Sequence, residues 1–277
     1  MTSPPLSRRH ALTLLAVTAS GTLLPRSLRA QSQDLLADSD VCMVLPEVTE
    51  GPYYLNTDLL RRDIRDGKPG VPLLLRLQVV DSACVPLATA RVDVWHCDAQ
   101  GIYSSFGGGD NGQTSTEGET FLRGTQRTDE RGIVEFDTIY PGWYRGRTTH
   151  IHYKIYLDTR NVLTGQIFFP DALSEYLYLN SPAYQRDRER DTLNATDDIA
   201  QQATRAAYAA ITEGETAYLA QMIIGVDPGA TSQAGQAPGG VPGGDGTTPP
   251  PPPGTPLNGS PPSEDRDPSA RLIPGSD

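Results

Sequence analysis

Apolar residues between positions 73 and 226 fall in short runs, alternating with period two or fully apolar, separated by turn residues. Residues 73–80 read LLLRLQVV between a proline and an aspartate, and residues 90–95 (ARVDVW) alternate. Residues 132–136 (GIVEF) follow the turn sequence Asp129-Glu130-Arg131-Gly132. Residues 150–157 (HIHYKIYL), 166–169 (QIFF) and 217–226 (AYLAQMIIGV) complete the set. Branched and aromatic residues suit a pleated, half-buried surface. Short strands punctuated by turn signals predict an all-β protein. The expected fold is a β-sandwich of mixed or antiparallel strands with long loops and little helix. Residues 173–178, 184–190 and 198–203 are weak helical candidates, and no internal repeat is evident.

The ends of the chain read differently. Residues 1–30 have the pattern of an export signal: Ser7-Arg8-Arg9, an apolar run from 11 to 24, then small and basic residues through Ala30. The arginine pair resembles a twin-arginine signal, which predicts an exported, periplasmic or extracellular protein. Residues 31–48 read as a polar lead-in, and 49–227 as the globular domain. Residues 228–277 are rich in Gly, Pro, Ser, Gln and Thr, including five consecutive prolines from Pro249 to Pro253. A segment with so little to bury cannot offset its ordering entropy, so a disordered tail is expected there. It could act as a spacer or contact cell wall or glycan.

Composition narrows the function classes. The formal charge of −11 argues against a nucleic-acid partner. Loss of residues 1–30 removes four arginines and no acid, which takes that charge to −15. No run of 18 or more apolar residues is present, so no transmembrane helix is expected. Three cysteines, at 42, 84 and 97, are too few for a disulfide scaffold. Cys84 and Cys97 are the pair considered for a bridge after export, with free, buried thiols as the preferred reading.

The chemistry centres on histidine. Outside the signal there are three: His96, His150 and His152. Side chains at i and i+2 of a strand share a face, so His150 and His152 can bind one ion. No cysteine or carboxylate accompanies them in a usual zinc spacing. Tyrosines do: Tyr103 in VWHCDAQGIY, and Tyr144 in YPGWYRGRTT just upstream of the pair. A free phenol titrates near 10 and is a poor ligand. A trivalent iron, as a hard Lewis acid, can hold the phenolate at neutral pH. His96 is read as a structural hydrogen-bonding group. Trp95, Tyr176, Tyr178 and Tyr184 are read as packing, and residues 107–110 (GGGD) as a flexible loop in which a lid is conceivable.

These segments resemble the intradiol ring-cleavage dioxygenases, the family of catechol 1,2-dioxygenases and protocatechuate 3,4-dioxygenases. The matching stretches are EGPYY (50–54), VDVWHCDAQGIYSSF (92–106), FLRGTQRTDERGIVEFDTIYPGWYRGRTTHIHYKIY (121–156) and LTGQIFFPD (163–171). The resemblance implies an Fe(3+) cofactor held by Tyr103, Tyr144, His150 and His152. It implies that Arg147 stabilises charge building on the substrate ring, that Tyr144 also takes part in catalysis, and that Gln166 supports the site. Tyr53, Tyr54 and Trp143 are carried over as substrate-pocket residues. Protocatechuate enzymes place a tryptophan two residues after the second tyrosine. Here that position is Gly146, which argues against protocatechuate itself as substrate. The expected reaction is cleavage of a catechol ring between its two hydroxylated carbons with O2, giving a cis,cis-muconate-type diacid. A homo-oligomer is left open. The rival readings are a binding module that captures catechols, iron chelates or glycans, and a zinc or copper hydrolase, which lacks a carboxylate base or third histidine.

Overall fold

Alternating leucines build the first strand. In β1 (Pro72–Val80), Leu73, Leu75 and Leu77 are buried and alternate with half-buried Pro72, Leu74 and Arg76, after which the strand is buried on both faces. It is followed by β2 (Arg91–Trp95), β3 (Arg123–Arg127), β4 (Ile133–Ile139), β5 (His150–Leu157) and β6 (Arg160–Phe168). Then come α1 (Asp171–Asn180), α2 (Asp198–Gln202), β7 (Ala210–Glu213) and β8 (Tyr218–Gly225). This computed structural model describes residues 42–106 and 115–234. Residues 1–30, read above as an export signal, the loop at 107–110 and the tail beyond 234 lie outside the described residues.

Two four-stranded sheets form the sandwich, in the orders β4-β1-β8-β7 and β3-β2-β5-β6. β1 and β8 run parallel, and every other neighbouring pair is antiparallel. One hydrophobic cluster joins them. Leu73, Leu75, Leu77, Phe136, Ala220 and Ile224 come from the first sheet, and Val92, Val94, Ile151, Tyr153, Ile155 and Ile167 from the second. The expected all-β sandwich is therefore observed.

Four segments depart from the sequence expectation, the first being the short, unpredicted β7 (AITE) at the sheet edge. β3 (RGTQR) has no apolar alternation and is not predicted. It forms because Arg123 and Thr125 find buried partners, and because Gly124 lets Ile64 pack where a Cβ would come within 2.4 Å of it. Residues 184–190 contribute only to a short 3-10 turn, Pro182–Tyr184. Their arginines bind elsewhere: Arg186 to the carbonyls of Gln100 and Trp143, Arg190 to Asp171. The lead-in is not simply polar, because Leu45 and Val48 enter the core.

The cysteine expectation is corrected. Cys84 bonds Cys42, with Cα atoms 5.3 Å apart, and Cys97 is free and buried. The bridge ties the lead-in to the β1–β2 turn across 42 residues of sequence. Closing so long a loop restricts the unfolded chain, so Cys84→Ser is expected to cost about 3 kcal/mol. Chemical denaturation of oxidised wild type against the variant measures it.

The first seven residues assigned to the tail are also held. Arg160 donates to the carbonyls of Pro228, Gly229 and Ala230, and the Gln233 amide donates to Glu47 at 2.9 Å. Ser232 bonds Thr164 and Glu47.

The outer face of the second sheet carries the chemistry. Register brings Arg123, Trp95, His152 and Gln166 into one row across β3, β2, β5 and β6. The next row is Thr125, Asp93, Lys154 and Thr164. Residues 48–54 cross this face as a strap. The Val48 amide donates to Thr164 O, Gln166 donates to Thr49 O, Glu50 pairs with Lys154, and Arg123 donates to Tyr53 O. A sheet face covered this way can hold buried polar groups, each with a partner.

Candidate active site

His150 opens β5 and His152 follows on the same face, so strand geometry alone brings their rings together. Their Nε2 atoms lie 3.0 Å apart. Tyr144 reaches the same point from the 140–149 loop, its hydroxyl 3.1 Å from His150 Nε2. Tyr103 reaches it from the loop after β2, at 3.5 Å. All four of the tyrosines and histidines singled out in the sequence thus converge on one spot. About 3 Å is the separation expected of donors that share one small cation.

Local bonds fix each approach. The Asp98 carboxylate accepts the amides of Gln100 and Ile102, closing the turn before Tyr103. Gly101 in that turn has φ +80°, and a Cβ there would lie 2.1 Å from Trp143 O. Thr116 donates to Tyr103 O from the far side. His150 Nδ1 lies 2.7 Å from Thr148 O. A carbonyl only accepts, so Nδ1 carries the proton and Nε2 presents its lone pair to the centre. Orientation of a ligand imidazole by a backbone carbonyl is a recurrent feature of metal sites. His152 lies flat against Trp95, with ring centroids 4.9 Å apart, and its Nδ1 has no hydrogen-bond partner among the described residues.

The electrostatics fit a highly charged cation. Burial pushes the Tyr103 and Tyr144 phenols well above their ordinary value and holds both imidazoles well below theirs. Without a cation all four groups are neutral, and only a strong Lewis acid would make phenolates of the tyrosines. Arg123 supplies a second sign. It is 3% exposed, donates only to Ser104 and the Tyr53 carbonyl, and forms no ion pair with a carboxylate among the described residues. Burial lowers its guanidinium to about 10, and the Tyr103 phenol opposes that shift. A phenolate at Tyr103 would be the missing counter-charge for this arginine. No cluster of three or more His, Cys, Asp or Glu occurs among the described residues, so the tyrosines complete any metal set around His150 and His152.

The remaining candidates divide. Arg147 directs Nη1 to within 3.4 Å of both the Tyr144 hydroxyl and His150 Nε2, and its Nη2 donates to Gln166 Oε1. Tyr53 stacks on Tyr103 at 4.2 Å and meets Tyr144 edge-on at 6.3 Å. Tyr54 packs on Trp95, but its hydroxyl bonds Asp93 in the next row and Tyr156 in the row beyond. Trp143 is not brought to the site. It lies in the main core with Arg186 over its ring, while Tyr144 joins the separate cluster of Trp95, Cys97, Tyr103, Tyr53 and Phe106.

His96 is a satisfied core histidine. Nδ1–H donates to Cys97 O, and Nε2 accepts from the Thr138 hydroxyl. Burial pushes it down to about 4, against an ordinary 6.5. Between those values only the unfolded chain takes up this proton. Its contribution is therefore intact above about pH 6.5 and drains away as pH falls toward 4. Thermal midpoints from pH 7 to 4 are expected to fall less steeply in His96→Gln than in wild type.

Sequence reading missed two residues here, Arg123 and Asp197. Arg123 lies on the unpredicted β3. Asp197 carried a visible signal, an aspartate just before a helical stretch, which marks an N-cap. It does cap α2, accepting from the Ile199 and Ala200 amides. Nothing in the sequence reveals that its other oxygen holds Arg147.

Comparison with known proteins gives the class first. A family model described as Dioxygenase (Dioxygenase_C) matches residues 49–212. The intradiol ring-cleavage dioxygenase from Tetranychus urticae superposes with a TM-score of 0.64 at 33% identity, covering 70% of this chain and 98% of that one. The dioxygenase domain of a dioxygenase carbohydrate-binding protein fusion from Streptomyces sp. SirexAA-E gives 0.51 at 27% identity, covering 67% and 99%. Catechol 1,2-dioxygenase of Acinetobacter baylyi is 29% identical over 146 residues, 44% of this chain and 45% of that protein. The chain thus spans about half the length of the catechol dioxygenases it matches. It belongs to the intradiol ring-cleavage dioxygenase family.

Proposed function

We propose that this chain is an exported, non-haem iron(III) dioxygenase. It would open catechol-type rings between the two hydroxylated carbons with O2, giving cis,cis-muconate-type diacids. The observation that carries this reading is the convergence of the Tyr103 and Tyr144 hydroxyls and His152 Nε2 within 3.5 Å of His150 Nε2. Similarity to catechol 1,2-dioxygenases supports the substrate class.

Tyr103, Tyr144, His150 and His152 would hold the iron. When bound, iron(III) would draw electron density from a chelated catecholate and make the ring reactive toward O2. The protein does the rest. Tyr103 is buried beside Arg123 and suits a permanent phenolate. Tyr144 is only half-buried, so its hydroxyl oxygen is the atom placed to accept a proton from an arriving catechol. Arg147 Nη1, next to that oxygen, offers a fixed donor where negative charge develops on the ring. Gln166, anchored to Thr49 O, sets the plane of the guanidinium. Tyr53, stacked on Tyr103 and edge-on to Tyr144, would hold the two phenol rings in place.

The test is on purified, iron-loaded protein. A tyrosinate–iron band in the visible, O2 uptake with catechol and a ring-opened diacid are the expected results, and a panel of substituted catechols then defines the substrate. Colour without turnover would indicate a binding protein. Failure to retain iron would overturn the reading outright.

Two features support export: the Arg8-Arg9 signal pattern, and the Cys42–Cys84 bridge, since disulfides persist in oxidising compartments. Cell fractionation decides it, and activity confined to the cytoplasm would refute it.

A further inference from the structure

Asp197 is buried, and both carboxylate oxygens are fully used. Oδ1 accepts from Ile199 N at 2.9 Å and Ala200 N at 3.0 Å, which caps α2. Oδ2 accepts from Arg147 Nε at 2.9 Å and from Thr148 N at 2.8 Å. That second oxygen sits behind the candidate centre. Arg147 has three nitrogens. Nε is tied to Asp197, Nη2 to Gln166, and Nη1 is the one left facing Tyr144 and His150. Thr148, held by the same oxygen, is the residue whose carbonyl orients His150. A helix cap alone would need only one of the two oxygens.

Resting on the dioxygenase reading above, we infer that Asp197 is a positioning residue for the reaction. It holds the Arg147 guanidinium with Nη1 directed at the Tyr144–His150 pair, and it balances the charge of that arginine. The carboxylate matters for both tasks. A carboxylate meets the guanidinium as an ion pair as well as a hydrogen bond, whereas an amide oxygen supplies only a neutral acceptor. A buried cation left without its partner is also strongly destabilising. With the anchor weakened, the guanidinium can rotate about its remaining tie to Gln166, and Nη1 leaves the place where charge develops. Asp197 itself touches neither substrate nor metal.

The experiment is a double-mutant cycle of Asp197→Asn and Arg147→Gln, with Ile199→Pro as a control. Proline has no backbone N–H, so this substitution removes one of the two cap donors without touching the arginine. Three readouts are taken: the visible iron band, kcat and KM for catechol, and the thermal midpoint of the metal-free protein. Asp197→Asn is expected to keep the band and to lower kcat by up to about 100-fold, the scale of a 1 Å misplacement, with a much smaller change in KM. In the Arg147→Gln background the same substitution should leave kcat unchanged. It should also lower the midpoint less there than in the parent, because no buried cation is orphaned. Ile199→Pro should keep kcat near wild type. Equal losses of kcat in both backgrounds, or an Ile199→Pro variant as slow as Asp197→Asn, would reduce Asp197 to a helix cap and overturn the inference alone. A wild-type protein without band or turnover would instead refute the dioxygenase reading, and this inference with it.

Discussion

Replacing His152 with alanine is expected to give a folded, colourless protein that retains no iron and opens no catechol. The position is buried, and its ring is sandwiched between Trp95 and the other candidate ligands. Losing a partner of a ligand typically costs 10–100-fold in metal affinity, so losing the ligand itself should cost more than about 100-fold. Folding should survive, because the strand bonds of β5 involve the backbone and Ile151 and Tyr153 remain in the core. Iron content per chain, the visible band and O2 uptake are the measurements. A variant that kept its iron and colour would show that His152 is not a ligand.

The second large effect lies in a turn. Gly101→Ala should destabilise the protein by about 4 kcal/mol, combining left-handed strain with a forced backbone clash. Its φ is +80°, and the added Cβ would meet Trp143 O at 2.1 Å. Gly118 has a similar φ of +83° but nothing within 4 Å of its Cβ. Gly118→Ala therefore isolates the conformational part and should cost only about 1 kcal/mol. The Gly101 turn also carries Tyr103, so its variant should lose iron-dependent colour along with stability. Chemical denaturation of the two variants side by side separates the contributions. Equal losses would mean that the Trp143 contact is relieved at no cost.

What could be read from the chain alone follows from how local each signal is. The i, i+2 histidines needed only strand periodicity, β2 advertised itself through alternation, and β1, β5 and β8 did so as short apolar, branched or aromatic runs. The tyrosines came from the family resemblance, and the geometry then brought both to the histidines. β3 escaped because its residues are polar and are satisfied by distant partners, such as Tyr53 O for Arg123. The Cys42–Cys84 bridge was hidden because the lead-in looked too polar to belong to the domain. The 184–190 stretch misled because its charges pair across the fold rather than along a helix. Asp197 shows the general difficulty: its cap is a local pattern, whereas its hold on Arg147 spans 50 residues of sequence.

The seam between Glu47 and residues 232–233 bears on how the chain can be trimmed. Composition invites a cut after Asp227, which would spare every strand. It would also release the lashing on Glu47, one residue before the strap that roofs the reactive pocket. A shortened version ending there should still fold, with a looser roof and a leakier pocket. A cut after residue 234 keeps the lashing whole.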